Sequence, residues 1–331
     1  MVASIARQPQ QIRRMPMFNV LLGMAAIIVA GIIWKAVLGL KSAETIRSHL
    51  AQAVYHIFLP ALVLHVLWQF PVGLNTVRIP VVAALSVSLA LLAAFLLYGN
   101  GKLVRAFLPG NSNKAVGALL LASAFGNFSY LGLPVLSQTF GSWAQVVAIH
   151  FDLLASTPLL FTIGIILARY YGSSGTSGSD AMHPLVSLFR VPAIWAAIAG
   201  LLFSVFNIPM PAWLDETLAT LGAAVVPLML LSVGMALRWQ SGWMARIPVL
   251  LPVIVIQLVV MPLIAWGAAI GVGMPADFLP PVVIEGAMPT MVLGLVICDR
   301  FKLDVALYAE AVTLTTALSL ITLPLWLQAV S

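Results

Sequence analysis

Long apolar runs separated by short polar stretches dominate the chain from about residue 17 onwards. A transmembrane helix needs roughly 20 predominantly apolar residues, and ten runs approach or exceed that length. Membrane β-barrel strands instead alternate between apolar and polar residues over about ten positions. The pattern therefore predicts an all-α polytopic membrane protein with ten transmembrane helices, at 17–39, 50–69, 79–98, 115–136, 143–168, 185–206, 211–237, 247–270, 278–297 and 303–329.

The fourth and ninth apolar runs are each interrupted near the middle. Residues 126–134 read Gly-Asn-Phe-Ser-Tyr-Leu-Gly-Leu-Pro, and residues 285–290 read Glu-Gly-Ala-Met-Pro-Thr. Backbone groups without hydrogen bonds are costly in hydrocarbon, so such a break is tolerated only inside protein or beside a water-filled cavity. Paired breaks at corresponding places in two halves indicate the central binding site of a transporter.

A short polar stretch at 171–180, rich in glycine and serine, divides the runs into two sets of five. Its composition is typical of a flexible linker. An odd number of spans in each half places the two halves in opposite orientations, which defines an inverted repeat with crossing fourth and ninth helices. We predict an N-terminal tail at 1–16, a first five-helix repeat at 17–169, a flexible cytoplasmic linker at 170–184 and a second, inverted repeat at 185–329.

Composition agrees with this class, and the placement of charge predicts the orientation. Charged residues make up 8% of the chain, against about 25% in soluble proteins. Of the 16 lysines and arginines, twelve lie beside loops after odd-numbered helices, Lys41 and Arg47 among them, and four lie elsewhere. The positive-inside rule then places those loops in the cytoplasm and both termini outside the cell (inner) membrane. The pair Arg13 and Arg14 is an exception to this charge distribution, because it precedes the first helix on the outer side. Translation could instead start at Met15 or Met17.

Broken helices can bind an anion through their backbone. The N-terminus of a half-helix presents free N–H groups and the positive end of the helix dipole. Each broken helix resumes as a second half-helix, and Pro134 and Pro289 suit the first position of these segments. An N–H at that position has no intrahelical partner, so its absence in proline costs no hydrogen bond. Ser129 and Thr290 are available as caps. In an inverted pair the two positive ends face each other, and a carboxylate could lie between them.

Residues around the two breaks are the predicted substrate-binding residues: Asn127, Ser129, Tyr130, Gly132, Pro134, Met288, Pro289 and Thr290. Gln257 is a further candidate for lining a pocket. The predicted proton-coupling residues are the intramembrane acids Glu285, Asp152 and Glu310, because charged groups at the bilayer centre are costly and usually face the bundle interior. Glu285 is the first choice, since burial disfavours the charged form and a neutral side chain would not repel a carboxylate. The alternative is a structural role in helix–helix hydrogen bonding.

The break sequences resemble those of a known family. Residues 127–134 resemble the Asn-x4-Gly-x-Pro crossover of the auxin efflux carrier family, within the bile/arsenite/riboflavin transporter-like superfamily. Residues 231–235 are similar to its seventh-helix Ser-x-Gly signature, and residues 287–290 followed by 298–301 resemble its ninth-helix crossover. The family includes plant PIN proteins and bacterial permeases described for malonate or malate. The resemblance implies alternating access, with helices one, two, six and seven as a scaffold and the other helices carrying the site.

The leading hypothesis is a secondary active transporter of small organic anions, such as malonate, malate or a hydrophobic monocarboxylate. Two alternatives stay open: a sodium-coupled symporter of a bile-acid-like anion with the same fold, or a channel or sensor without coupled transport. An enzyme is not expected, because no grouped catalytic motif occurs. We expect no cofactor, no metal site and no nucleic-acid partner. The expected partners are the anion and the lipid bilayer, with homodimer formation left open.

Overall fold

The computed structural model of the protein describes residues 17–108, 112–172, 189–237 and 243–331. These residues form helices and connecting turns without a β-strand, which confirms the all-α class for the described part of the chain. The predicted N-terminal tail at 1–16 and most of the predicted linker at 170–184 lie outside the described residues.

The helices follow the predicted apolar runs closely. Six of the described helices are long and apolar enough to cross a membrane, at Leu40–Gln69, Leu74–Tyr98, Ser142–Tyr171, Ala212–Ala236, Met244–Gly271 and Val305–Val330. The ten-helix count and the inverted repeat remain predictions. The bounds are α1 Met17–Leu38, α2 Leu40–Gln69, α3 Leu74–Tyr98, α4 Lys102–Phe107, α5 Ser112–Ala124, α6 Leu133–Phe140, α7 Ser142–Tyr171, α8 Pro192–Val205, α9 Ala212–Ala236, α10 Met244–Gly271, α11 Leu279–Gly286, α12 Gly294–Arg300 and α13 Val305–Val330.

The start of α2 differs from the prediction. The helix begins at Leu40, about three turns before the predicted apolar run, directly after Gly39, whose φ of +76° ends α1. Its first turns mix apolar residues with Lys41, Glu44 and Arg47, so a search for continuous apolar sequence excludes them. Arg47 pairs with the Glu44 carboxylate one turn earlier. Lys41 and Arg47 therefore lie in a helix and not in a loop.

The helices pack in two groups. The first helix group consists of α1, α2, α8 and α9, in which α2 packs along α8 and α1 along α9. Its closest approach is between α1 and α9, since a Cβ atom on Gly31 would overlap the carbonyl oxygen of Leu231. A Cβ atom on Gly234 would likewise overlap the carbonyl oxygen of Ile28. Small residues thus allow the two backbones to touch, as is common between membrane helices.

The second helix group consists of α3, α5, α7, α10, α11, α12 and α13. Polar side chains join its members: the Tyr98 hydroxyl of α3 donates to the carbonyl oxygen of Val249 at 2.6 Å, and the Trp326 indole of α13 donates to that of Leu258 at 2.8 Å. Such bonds define how neighbouring helices are aligned where water is absent. The half-helix α6 contacts both groups, which places the first break at the boundary between them.

Candidate functional site at the crossing of two broken helices

The first break is short. After α5 ends, the chain resumes as a helix in the π turn Phe128–Gly132, which continues into α6. The Asn127 carbonyl oxygen accepts hydrogen bonds from the N–H groups of Leu131 and Gly132, at 3.1 and 3.0 Å. The N–H groups before them therefore have no intrahelical acceptor. Because the half-helix begins at the π turn, Pro134 lies in its second turn, and the expectation that it occupies the first position is wrong.

The second break is longer. Residues 287–293 lie outside any helix, and α12 begins only at Gly294. Pro289 therefore does not begin a half-helix, contrary to the expectation. Thr290 does not cap one either, because its hydroxyl donates to the carbonyl oxygen of Ala122 at 2.8 Å. The reason is that this segment is extended and pairs with the other break.

The two breaks are hydrogen-bonded to each other across the interior. The N–H of Asn127 donates to the carbonyl oxygen of Pro289 at 2.7 Å, and the N–H of Met291 donates to that of Phe125 at 3.0 Å. The arrangement is a short antiparallel bridge. Backbone groups that the broken helices leave unpaired thus find partners inside the protein, as a membrane interior requires.

A cavity lies beside the first break. It contains about 620 Å³ of empty space, part of it continuous with the outside. Its polar lining consists of Tyr55 from α2, of Asn127, Ser129 and Tyr130 from the first break and of Asp152 and Thr157 from α7. Apolar side chains supply most of the remaining wall, among them Leu59, Phe128, Leu160, Phe161, Met291 and Leu293. Among the described residues that line it there is one acid and no lysine, arginine or histidine.

Asp152 accepts a hydrogen bond at each carboxylate oxygen. The Ser129 hydroxyl donates to Oδ2, and the Thr157 hydroxyl donates to Oδ1 at 2.9 Å. Ser129 therefore does not cap the half-helix as expected. Asp152 begins a π turn, in which residues five apart follow each other along the helix, and this places Thr157 next to it. The three side chains form one polar cluster that joins α7 to the first break.

The π turns of the described residues concentrate at this site. Residues of four of them, Val54–Phe58, Phe128–Gly132, Asp152–Ser156 and Leu160–Gly164, line the cavity. A fifth contains Gln257, which donates to the carbonyl oxygen of Met288 at 2.8 Å. Gln257 thus supports the second break and does not line the cavity. Isolated π turns are rare and frequently mark functional sites.

Five of the predicted substrate-binding residues do not line this cavity: Gly132, Pro134, Met288, Pro289 and Thr290. Gly132 lies against the carboxylate of Glu285, which a Cβ atom at that position would overlap. Glu285 is 0% exposed, and neither of its carboxylate oxygens has a hydrogen-bond partner. It therefore lies at the contact between the first break and α11, outside the cavity.

The remaining predicted acid has a different environment. Glu310 on α13 is buried and accepts a hydrogen bond from the guanidinium of Arg246 at 3.0 Å. Cys298 is also buried, and neither residue lines the cavity. In the described ranges, no group of three or more histidine, cysteine or acidic side chains is arranged to hold a metal ion.

Sequence reasoning missed several lining residues. Tyr55 and Leu59 belong to α2, and Val191 and Ala193 lie at the start of α8, so these four come from the first helix group or its edge. No pattern in the sequence distinguishes them from other apolar positions. Thr157 was also missed, although its spacing of five residues from Asp152 would have identified it once a π turn was assumed.

These features define a class of protein. The protein has helices long enough to cross a membrane, and its two breaks meet beside an internal cavity. These are the features of a multi-pass membrane transporter. A family model described as a membrane transport protein matches residues 16–327, nearly the entire chain. The chain therefore belongs to this family, the auxin efflux carrier family.

Curated relatives agree with this assignment. The chain is 30% identical over 310 residues to an uncharacterized transporter of Methanothermobacter thermautotrophicus, a match that covers 92% of this chain and 95% of the relative. It is 26% identical over 221 residues to the uncharacterized transporter MJ1031 of Methanocaldococcus jannaschii, covering 65% and 68%. It is 26% identical over 227 residues to the uncharacterized transporter YfdV of Escherichia coli K12, covering 66% and 68%. The chemistry of the cavity therefore has to guide any assignment of substrate.

Proposed function

We propose that the protein is a secondary active transporter of small organic anions that binds its substrate in the cavity beside the first break. The observation that carries this proposal is the crossing of two broken helices next to a cavity in a member of a transporter family. The half-helix that begins at Phe128 directs its unbonded N–H groups and the positive end of its dipole towards its own start. An anion bound there needs no dedicated cation.

The lining favours a hydrophobic monocarboxylate over malonate or malate. One carboxylate can be met by the start of the half-helix and by the Asn127 amide, whose buried Nδ2 has no hydrogen-bond partner. A second carboxylate would be desolvated against an apolar wall whose described residues include no cationic side chain. Burying an unpaired charge is costly, whereas an apolar ring or chain would be stabilised by contacts with Phe128 and Phe161.

The acidic side chains near the breaks support coupling of transport to protons. A charged Asp152 in the lining would repel the substrate, so a proton is expected to accompany each anion. Glu285 and Glu310 are the other candidates, although Glu310 is already paired with Arg246. Sodium is the second candidate ion, because the oxygens of Asp152, Ser129 and Thr157 are close together and are of the type that binds hard cations.

Alternating access would move the second helix group past the first. The sparse packing between the groups and the position of α6 at their boundary support this motion. The proposal includes ten spans in two inverted repeats, both termini outside the cell membrane and a lipid-covered exterior. A homodimer would cover part of the exposed apolar surface, which includes Leu22, Trp213 and Leu325.

The test is uptake of labelled phenylacetate and malonate into proteoliposomes, under a proton gradient, a sodium gradient or neither, with uptake by protein-free liposomes subtracted. We expect saturable phenylacetate uptake that an inward proton gradient accelerates, and weaker malonate uptake. The Ser129→Ala variant should lose uptake, whereas Ser137→Ala, a serine on α6 that does not line the cavity, should keep it.

Other results would redirect the proposal. Stronger uptake of malonate than of phenylacetate would reject the monocarboxylate preference. A requirement for sodium in place of protons would establish the sodium-coupled alternative, and conductance without saturation would indicate a channel. No protein-dependent uptake of either acid would contradict an organic-anion transporter.

A further inference from the structure

We infer that Ser129 and Asp152 form one switch, in which the Ser129 hydroxyl bonds either to the Asp152 carboxylate or to the carboxylate of the substrate. The anion then binds only when Asp152 carries a proton. This inference rests on the proposed function and deepens it by naming the coupling residue and the contact that links proton to substrate.

The first step is the limited capacity of the Ser129 hydroxyl. A serine hydroxyl has one hydrogen and can donate one hydrogen bond at a time. In the structure that hydrogen points to Oδ2 of Asp152. Ser129 also lies in the first turn of the half-helix and lines the cavity, where a bound carboxylate would need donors. The carboxylate of Asp152 and that of the substrate therefore compete for the same donor.

The second step is what a proton changes at Asp152. The charged carboxylate is stabilised by charge-assisted hydrogen bonds from Ser129 and Thr157. A protonated carboxyl becomes a donor itself and no longer requires both hydroxyls. Protonation therefore releases the Ser129 hydrogen and at the same time removes the negative charge from the lining. Both effects favour binding of an anion.

The third step separates Asp152 from the other acids. Glu285 is buried against Gly132, has no hydrogen-bond partner and does not line the cavity. Glu310 is paired with Arg246. A charged Glu285 carboxylate without a partner would be costly at this buried position. Transfer of a proton between Glu285 and the cavity would therefore require the surrounding helices to rearrange. Asp152 is the acid that a substrate in the cavity would meet directly.

The helices and the break that pack around Asp152 carry other ionisable groups, and none of those in the described ranges is hydrogen-bonded to Ser129. The helix α8, which packs against this part of α7, carries no ionisable residue over Pro192–Val205. Changes of charge at the ionisable groups on the other elements could alter the pH at which substrate binding is half-maximal. They would not remove the dependence of binding on pH. The ionisable groups in question are His150 on α7, Tyr130 at the first break, Glu285 on α11, Tyr55, His56 and Arg47 on α2, and Arg78 and Tyr98 on α3.

The experiment measures equilibrium binding of labelled phenylacetate to the full chain in lipid nanodiscs, between about pH 5.5 and 8, where the acid itself stays ionised. For the native chain we expect affinity to fall by up to about tenfold per pH unit on the alkaline side, as the binding of one linked proton requires. Asp152→Asn should bind with an affinity that does not depend on pH. In proteoliposomes the same variant should retain exchange of substrate and lose accumulation driven by a proton gradient.

Three variants serve as controls. Glu285→Gln makes the same change at a buried acid outside the cavity, and should keep the dependence of binding on pH, although the pH of half-maximal binding can shift. Thr157→Val removes one of the hydrogen bonds that stabilise the charged Asp152, so binding should persist to higher pH. This second variant tests the switch even where Asp152→Asn does not fold. Ser129→Ala should weaken binding throughout the pH range.

Several outcomes would overturn the switch. A native pH profile in Asp152→Asn, a flat profile in Glu285→Gln or an unshifted profile in Thr157→Val would each exclude it while leaving the proposed function in place. Binding of phenethylamine that Asp152→Asn abolishes would instead identify Asp152 as the counter-ion of a cationic substrate. No saturable binding of phenylacetate or malonate by the native chain would contradict the proposed function and the switch together.

Discussion

The two breaks at the centre of the molecule both contain glycine and proline but have different surroundings. At the first break, the Asn127 amide Nδ2 has no partner, and Ser129 lies between the cavity and Asp152. At the second break, the N–H of Thr290 donates to the Thr315 hydroxyl at 3.1 Å, and its own hydroxyl is also bonded within the protein. We conclude that the first break offers free polar groups to a ligand, whereas the second uses its polar groups to hold the crossing together.

The acids near the breaks differ in their access to the cavity, which Asp152 lines and Glu285 does not. Asp152 meets the cavity and two hydroxyl groups, while Glu285 is enclosed against Gly132. The acids therefore differ in access to the cavity and not in a surplus of free groups at Asp152, because Asp152 has a described partner at each carboxylate oxygen and Glu285 has none among the described residues. Two broken helices that cross can therefore serve one as support and the other as binding site, according to what packs around them.

The largest loss of stability and transport is expected at Gly132, where the first break touches Glu285 of the second. Gly132→Ala would place a Cβ atom inside the Glu285 carboxylate, and overpacking of this kind costs about 1–3 kcal/mol. We expect a lower thermal unfolding midpoint in detergent and a lower transport rate, because the overlap lies within the half-helix that borders the cavity. The double variant Gly132→Ala/Glu285→Ala should recover part of the midpoint, because the clash is removed.

A glycine without close neighbours gives the matched control. A Cβ atom on Gly23 would meet nothing within 4 Å, so Gly23→Ala should leave both the midpoint and the rate unchanged. Equal midpoints for Gly132→Ala and Gly23→Ala would show that the contact with Glu285 is not tight in the membrane.

An intermediate effect should separate the two breaks directly. Thr290→Val keeps the shape of the side chain but removes its hydrogen bond to Ala122, which should cost about 1 kcal/mol of stability. Asn127→Ala removes an amide without a partner at Nδ2 and leaves the backbone bond to Pro289 intact. We expect Thr290→Val to lower the unfolding midpoint with little change in phenylacetate affinity. Asn127→Ala should lower that affinity about fivefold with little change in midpoint.

This pair is measured by thermal unfolding and by nanodisc binding on the same preparations. The comparison of the breaks would be wrong if Thr290→Val weakened binding as much as Asn127→Ala. It would also be wrong if Asn127→Ala destabilised the protein as much as Thr290→Val, since the first break would then be structural too.

The smallest effect concerns the support of the second break. Gln257→Leu removes the donor to the Met288 carbonyl oxygen, so the midpoint should fall by an amount corresponding to roughly 1 kcal/mol, with phenylacetate affinity unchanged. Gln52→Leu, at an exposed position of α2, is the control. A loss of affinity in Gln257→Leu comparable to that in Asn127→Ala would indicate that the second break also shapes the binding site.

The sequence by itself determined the class of protein and the location of both breaks. A bilayer requires apolar runs of about 20 residues and continuous backbone hydrogen bonding, so the runs and their interruptions are visible without a structure. The start of α2 was missed, because Lys41 and Arg47 make its first turns amphipathic. The positions of Pro134 and Pro289 within their segments were also misplaced, since a π turn and an extended pairing displace the helix starts.

Only the tertiary structure decided which break borders the cavity and which acid meets it. Ser129 and Asp152 are 23 residues apart and come together because α7 packs against the first break. A π turn, which has no signature in the sequence pattern, brings Thr157 to the same carboxylate. From the sequence alone, Glu285 was the first choice for the proton-coupling residue and Asp152 a further candidate. Their difference arises from packing, because Gly132 leaves room for one carboxylate to be enclosed while the other faces open space.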